Sequence, residues 1–224
     1  VADVAVRGSF ILALLPRGEQ GTKLQTLVYI LVATGLAVGS PLNRLPAFSN
    51  AIYDGSYVQY HIRPQPLGLQ FISLDVGAMT ARFVVGTPFL AGAFLLYRSD
   101  LDGPTILVTV LMLHLGGVLA SAISTLFYLA TSFTRRDSGP RAILQGVSAL
   151  MSGQLVPLTL WPDSASWVHH QPFAYVVDAP MRVMFGLADP APIIGLQLLF
   201  AFILMGASTV IAEHTFHLRE QVGA

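Results

Sequence analysis

The stretch Ala142-Ile-Leu-Gln-Gly-Val-Ser-Ala-Leu-Met151-Ser-Gly-Gln-Leu-Val-Pro157-Leu-Thr-Leu-Trp161-Pro162 runs for 21 residues without a charge, long enough to cross a bilayer. The chain then passes through Asp163-Ser-Ala-Ser-Trp167, re-enters an apolar run at Pro172-Phe-Ala-Tyr-Val-Val177, and stops at Pro180 and Gly186. Proline fixes φ and removes an N–H donor, so each one ends or kinks a helix. Broken backbone at membrane depth persists only where protein or a water-filled cavity satisfies it. A short, proline-broken apolar segment after a full span therefore predicts a re-entrant helical hairpin over 161–186. The competing reading is a surface loop with its Trp and Tyr at the headgroup level.

Working outward, the composition is that of a membrane protein. Hydrophobic residues make up 54% of the 224 and charged residues 11%, against roughly 25% charged in soluble domains. The net charge is zero, which gives no reason to expect a nucleic-acid partner. The chain contains no cysteine, so disulfides, thiolate metal sites and cysteine nucleophiles are excluded. Its bases are eleven Arg and one Lys, a usage that suits a GC-rich bacterial coding sequence.

Five further segments place the spans. Residues 1–15 are apolar but short, and read as the end of a first span. Segment 24–43 is uncharged and closed by Pro41 and Pro46. Segment 68–97 reaches spanning length only by carrying Asp75 and Arg82 near one end, where Arg can snorkel. Segments 104–134 and 190–212 each open on proline, as helices do; 142–162 is the remaining span. No paired internal repeat of the secondary-transporter kind is visible. Arg44, Arg63, Arg135, Arg136, Arg141 and Arg219 fall on one side of this arrangement, and Arg17, Lys23, Arg98 and Arg182 on the other. The positive-inside rule puts the first set, and the loop 135–141 above all, in the cytoplasm, and hence the 161–186 hairpin outside. Gly35-Leu-Ala-Val-Gly39 and the row Gly116, Gly117, Ala120, Ser121 and Ser124 predict close helix packing within the bundle.

The hairpin residues also carry a resemblance. Gly153-Gln-Leu-Val-Pro157-Leu, Trp161-Pro162, Trp167, Pro172-Phe173-Ala-Tyr175, Pro180 and Gly186 resemble the C-terminal half of an ABC-2 type permease. Such permeases are membrane subunits of ABC exporters whose ATPase is a separate chain. The resemblance implies one domain over 1–224, an all-α polytopic transmembrane bundle of about six bilayer-length spans, the first incomplete here, in the cell (cytoplasmic) membrane. The hairpin would form an outer gate. Trp161 departs from the family, where Phe is commoner before the proline.

A second segment, 50–64, places Tyr53, Tyr57 and Tyr60 on one helix face, as a helix lying on the membrane surface would. It resembles the family's cytoplasmic coupling helix, and the resemblance assigns ATPase contact to Ile52, Gly55, Tyr57, Tyr60, Arg63 and Pro64. It implies two ATPase chains and a second permease copy or paralogue as partners, in membrane lipid, with the path between the permeases. No cofactor belongs to this chain; ATP and Mg would sit on the partner ATPase.

The remaining constellations are weak. There is no G-x-x-x-x-G-K-[ST] and no G-x-S-x-G, so the chain is read as a transport subunit and not an enzyme. His169 and His170 are adjacent and face different ways, and Glu213-His-Thr-Phe-His217 lacks the zinc-motif spacing; no metal is expected. His114 reads as an interhelical donor. Asp178 and Arg182, four apart, are expected to pair across one helical turn. An ATP-independent channel or secondary carrier, and a non-transporting scaffold or immunity subunit, are the other classes the sequence leaves open.

Overall fold

The structure is a computed structural model that describes residues 20–40, 42, 51, 56, 58–97, 101–131 and 138–222. Its described elements are all helical. They are α1 (Gln20–Gly39), the short α2 (Val58–His61), α3 (Leu67–Leu96), α4 (Gly103–Thr131), α5 (Ser138–Met151), α6 (Asp178–Met184) and α7 (Pro190–Val222). Three 3-10 turns, Leu158–Leu160, Asp163–His170 and Pro172–Tyr175, lie between α5 and α6.

Among the described residues, three helices are long and apolar enough to cross a membrane. These are Leu67–Leu96, Gly103–Leu129 and Pro190–His214, with mean hydropathies of 1.5, 2.3 and 2.1. Helix α1 has a shorter apolar core, Lys23–Ala37. The bundle has the polarity of a protein solvated by lipid. Val84, Leu107, Phe202 and Val210 are exposed, whereas Thr109, Ser121, Ser124, Thr125 and Ser208 are fully buried.

Helix α1 packs along α3 and α4 along α7, while α3 also touches α4 and α7. The helices approach one another closely at glycine. A Cβ on Gly86 would stand 2.6 Å from the Gly35 carbonyl oxygen, and one on Gly68 2.7 Å from the Thr209 backbone. Without an apolar solvent penalty to drive helices together in lipid, such backbone proximity maximises dispersion contact. The small-residue row on α4 serves the same purpose: Gly117 receives the Met79 side chain, and Gly116 receives the backbone of Val176. Gly116 lies thirteen residues into α4, about 20 Å from its start at 1.5 Å per residue. The segment after Pro172 therefore reaches the middle of the bundle.

The stretch 142–162, expected to form one span, is not one helix. Helix α5 stops at Met151. Gly153 adopts φ +81°, which non-glycine residues avoid, and Pro157 and Pro162 prevent the helix from resuming as an α-helix. Pro180, expected to stop a helix, instead stands in the first turn of α6. There its missing N–H is one that a helix start leaves unpaired anyway.

The close approach at Gly116 yields a direct test. Gly116→Ala forces a Cβ to within 2.5 Å of the Val176 carbonyl oxygen, whereas Gly146→Ala meets nothing within 4 Å. Gly116→Ala is expected to lower stability by about 1–3 kcal/mol. Gly146→Ala should be neutral or stabilising by up to about 1 kcal/mol. Thermal unfolding of the two purified variants in one detergent measures the difference, and equal midpoints would contradict this packing.

Candidate functional site

The hairpin is held by a small set of buried polar groups, and they converge where α5 ends and α6 begins. Helix α5 ends through the hydrogen bonds Ser152 N–H to Ser148 O (2.9 Å) and Leu155 N–H to Ala149 O (3.0 Å). The positive φ of Gly153 turns the chain away. A side chain there would collide with the Tyr29 hydroxyl and approach Asp178 Cβ at 3.3 Å. The Asp178 N–H then donates to the Ser152 carbonyl at 3.2 Å, joining two points 26 residues apart.

Asp178 is the hub. Its side chain is 1% exposed, yet it accepts two hydrogen bonds at Oδ1: from the Tyr29 hydroxyl on α1 (3.2 Å) and from the Leu158 N–H (3.1 Å). Its Oδ2 stands 3.4 Å from His169 Nδ1. Burial pushes its carboxyl above the ordinary range, opposed by the charge of His169, the Leu158 N–H, Arg182 and the Tyr29 hydroxyl, in that order. The expected Asp178–Arg182 ion pair is thus replaced. The carboxylate turns inward to orphaned donors of the broken backbone, because an unsatisfied buried N–H costs more than a surface ion pair returns. A cavity of about 70 Å³ opens onto Asp178 and is lined also by Tyr29, Thr26, Thr159 and Arg182.

Two glutamines complete the frame. Gln171 Nε2–H donates to Met151 O (2.6 Å), the last carbonyl of α5, and to Val168 O (3.0 Å). Its Oε1 accepts from the Phe173 N–H at 2.8 Å, so one side chain caps two elements. Gln197 on α7, 1% exposed, donates from Nε2 to Met112 O of α4 (2.9 Å) and to Tyr175 O of the hairpin (2.8 Å).

Among the residues predicted for the hairpin, Pro157, Tyr175 and Pro180 are buried, and Trp161, Pro172 and Phe173 half-buried. The Tyr175 ring meets Phe200 at 5.3 Å. Trp167 is 58% exposed, and Pro162 is exposed as well. Gly186 ends α6 with φ +69°. Sequence reasoning missed the hub, Asp178 with Tyr29, and both glutamines. The signal was present: Asp178 is the one acid between Asp163 and Asp189, and Gln197 the one amide in 190–212.

The residues predicted for the coupling helix are only partly visible: Ile52, Gly55 and Tyr57, with Tyr53, lie outside the described residues. Tyr60 packs its ring 4.9 Å from Phe71 at the start of α3, and the Arg63 guanidinium lies 5.0 Å over the Tyr60 ring. Gln70 Nε2–H donates to Tyr60 O (3.1 Å) and Gln65 O (2.7 Å). Pro64 is exposed. This corner joins a small core of Ala51, Leu67, Phe71, Leu129 and Ala212, at the end of the bundle away from the hairpin loops. His114 meets the Phe83 ring edge-on at 6.0 Å, an aromatic contact where a hydrogen bond was expected. Among the described residues no group of His, Asp and Glu could hold a metal ion.

The hub makes an asymmetric prediction. Asp178→Ala strands the Tyr29 hydroxyl and the Leu158 N–H and is expected to cost about 2–4 kcal/mol. Asp178→Asn keeps an acceptor at Oδ1 and removes the buried charge, and should unfold within about 1 kcal/mol of the parent chain. Thermal melts in detergent separate the two; an Asn variant as unstable as the Ala variant would show that the charge, not the acceptor, holds the joint.

No curated protein and no solved structure matches the chain. A family model described as "ABC-2 family transporter protein" matches residues 22–216, a stretch that contains every described helix but the two chain ends. With that match over most of its length and three apolar helices of spanning length, the chain is a membrane protein that belongs to the ABC-2 transporter family.

Proposed function

We propose that the chain is the permease subunit of an ATP-driven exporter, forming a translocation path with a second permease chain and powered by separate ATPase subunits. The observation that carries this reading is the family match over residues 22–216; members of this family normally work with ABC ATPases. ATP and Mg²⁺ bind the ATPase, and this chain brings no cofactor. It crosses the cytoplasmic membrane several times, with the 135–141 loop inside.

Two regions then take distinct roles. The segment carrying Ile52, Gly55, Tyr57, Tyr60, Arg63 and Pro64 docks on the ATPase. Packing of Tyr60 on Phe71 and of Ala51 beside Leu129 and Ala212 supports this, because force applied there reaches α3, α4 and α7 together. The 161–186 hairpin re-enters the outer leaflet and closes the path. Its support is physical: backbone that is neither helix nor strand is tolerated at membrane depth only when protein satisfies it, and Asp178, Gln171 and Gln197 do so here.

Two experiments test the reading. The chain has no native cysteine, so single substitutions label cleanly. Ser138→Cys should react only with reagent that reaches the cytoplasm, and Ser164→Cys with impermeant reagent from outside. The reverse pattern, or both on one side, removes the proposed topology. In the complex with its ATPase, Arg63→Glu and Gly55→Trp should lower ATP turnover severalfold while membrane insertion is kept. Unchanged turnover in both would take the docking role away from this segment.

A further inference from the structure

The hairpin contains the one charged side chain buried among the described residues, Asp178, and that side chain sits at the joint on which the hairpin hinges. Its Oδ1 is fully used by the Tyr29 hydroxyl and the Leu158 N–H. Its Oδ2 has no hydrogen-bond partner, and neither does His169 Nδ1, although the two atoms are 3.4 Å apart. Two facing lone-pair atoms at that separation are a place for one proton. His169 is 24% exposed and so connects this place with the surrounding water. The cavity of about 70 Å³ that opens onto Asp178 is large enough to admit water as well.

We propose that the Asp178 carboxyl, with His169 beside it, is a proton-binding site whose occupancy decides how firmly the hairpin stays docked on α1 and the end of α5. A neutral carboxyl keeps both Oδ1 acceptor bonds and places no charge in the buried joint. A carboxylate places a full charge where almost no solvent reaches it, which is costly unless the charge is paired. The groups facing it from the packed elements are Tyr29 on α1, His169 on the 163–170 turn and Arg182 on α6. Arg182 acts at a distance and makes no ion pair with it, and Tyr29 is a hydrogen-bond donor without charge. Burial outweighs these groups and raises the docked carboxyl above its ordinary value. The sign follows by linkage. The docked state holds the proton more tightly than the undocked one, so docking is fully favoured below the ordinary aspartate value, about 3.9. It weakens by up to about tenfold per pH unit as pH rises to the docked value, and is constant above it.

The test uses the full chain in detergent and requires neither ATPase nor transported substrate, so its failure leaves the exporter reading intact and the reverse also holds. Ala174, 1% exposed in the hairpin, is changed to Cys, and the exposed Ser164 is changed to Cys in a second protein as reference. Both react with 4,4′-dithiodipyridine, which attacks thiols in acid and neutral buffers alike, and the ratio of the two rates follows docking free of thiol ionisation. The ratio is expected to climb severalfold from acid to neutral pH and then level off. Adding Asp178→Asn, which resembles the neutral acid, should hold it low and flat. Adding His169→Gln should move the climb to higher pH, because the imidazole charge that favours the carboxylate is gone. A flat ratio in the parent, a climb that survives Asp178→Asn, or a climb that His169→Gln leaves in place each overturns the proposal. Should Asp178→Asn fail to fold, the His169→Gln comparison decides alone.

Discussion

The second half of this molecule is governed by one constraint: the backbone between Met151 and Asp178 is irregular, and its stretches 152–154, 157–158 and 174–178 are buried in an apolar bundle. Each unpaired peptide group buried in such surroundings costs on the order of 1–3 kcal/mol. The segment is folded so that its own side chains discharge that cost. Asp178 takes the Leu158 N–H, Gln171 takes the end of α5 and the start of the next turn, and Gln197 reaches across from α7 to Tyr175. Gly116 in the small-residue row of α4 serves the same segment, since only glycine there lets the Val176 backbone come so close.

The polar groups that hold the hairpin are collected at the joint. This arrangement stabilises one geometry of the hairpin strongly and gives alternatives little support. It also concentrates sensitivity. A surface hairpin loses a few tenths of a kcal/mol when one hydrogen bond is removed, whereas removal of Asp178 strands two donors at once. The aromatic residues that dominate the sequence, Trp161, Trp167, Phe173 and Tyr175, act differently. Tyr175 and Phe173 fill space inside, while Trp167 remains largely exposed.

Much of this was legible in the sequence. The apolar runs and their opening prolines mark α3, α4 and α7, because a bilayer-length helix has to be apolar over some twenty residues and few other structures do. The prolines and Gly186 mark the hairpin as broken. What the sequence did not reveal is where the break begins. Residues 142–162 carry no charge, and hydropathy cannot distinguish one continuous helix from a half-helix that stops at Met151; the left-handed φ of Gly153 decides it. Nor did spacing identify the partner of Asp178. The i, i+4 rule names Arg182, which suits an exposed helix, but a buried carboxylate is claimed by whichever orphaned donors it meets, and Tyr29 is 149 residues away in sequence. Long-range pairing of this kind leaves no local pattern.

The two regions singled out from sequence are linked by the same two helices. Helix α4 meets the hairpin at Gly116 and the corner around Tyr60 at Leu129, thirteen residues or about 20 Å along. Helix α7 meets the hairpin at Gln197 and the same corner at Ala212. Both stretches are continuous helix, and the two helices pack against each other along their length, so neither yields by bending between the two points. A displacement of α4 and α7 relative to α1 therefore moves Gly116 and Gln197 relative to Tyr29. Val176 and Tyr175 follow the first pair, while Asp178 is tied to Tyr29. The joint at Asp178 is thus the place in the bundle where movement of α4 and α7 against α1 is converted into strain on the hairpin.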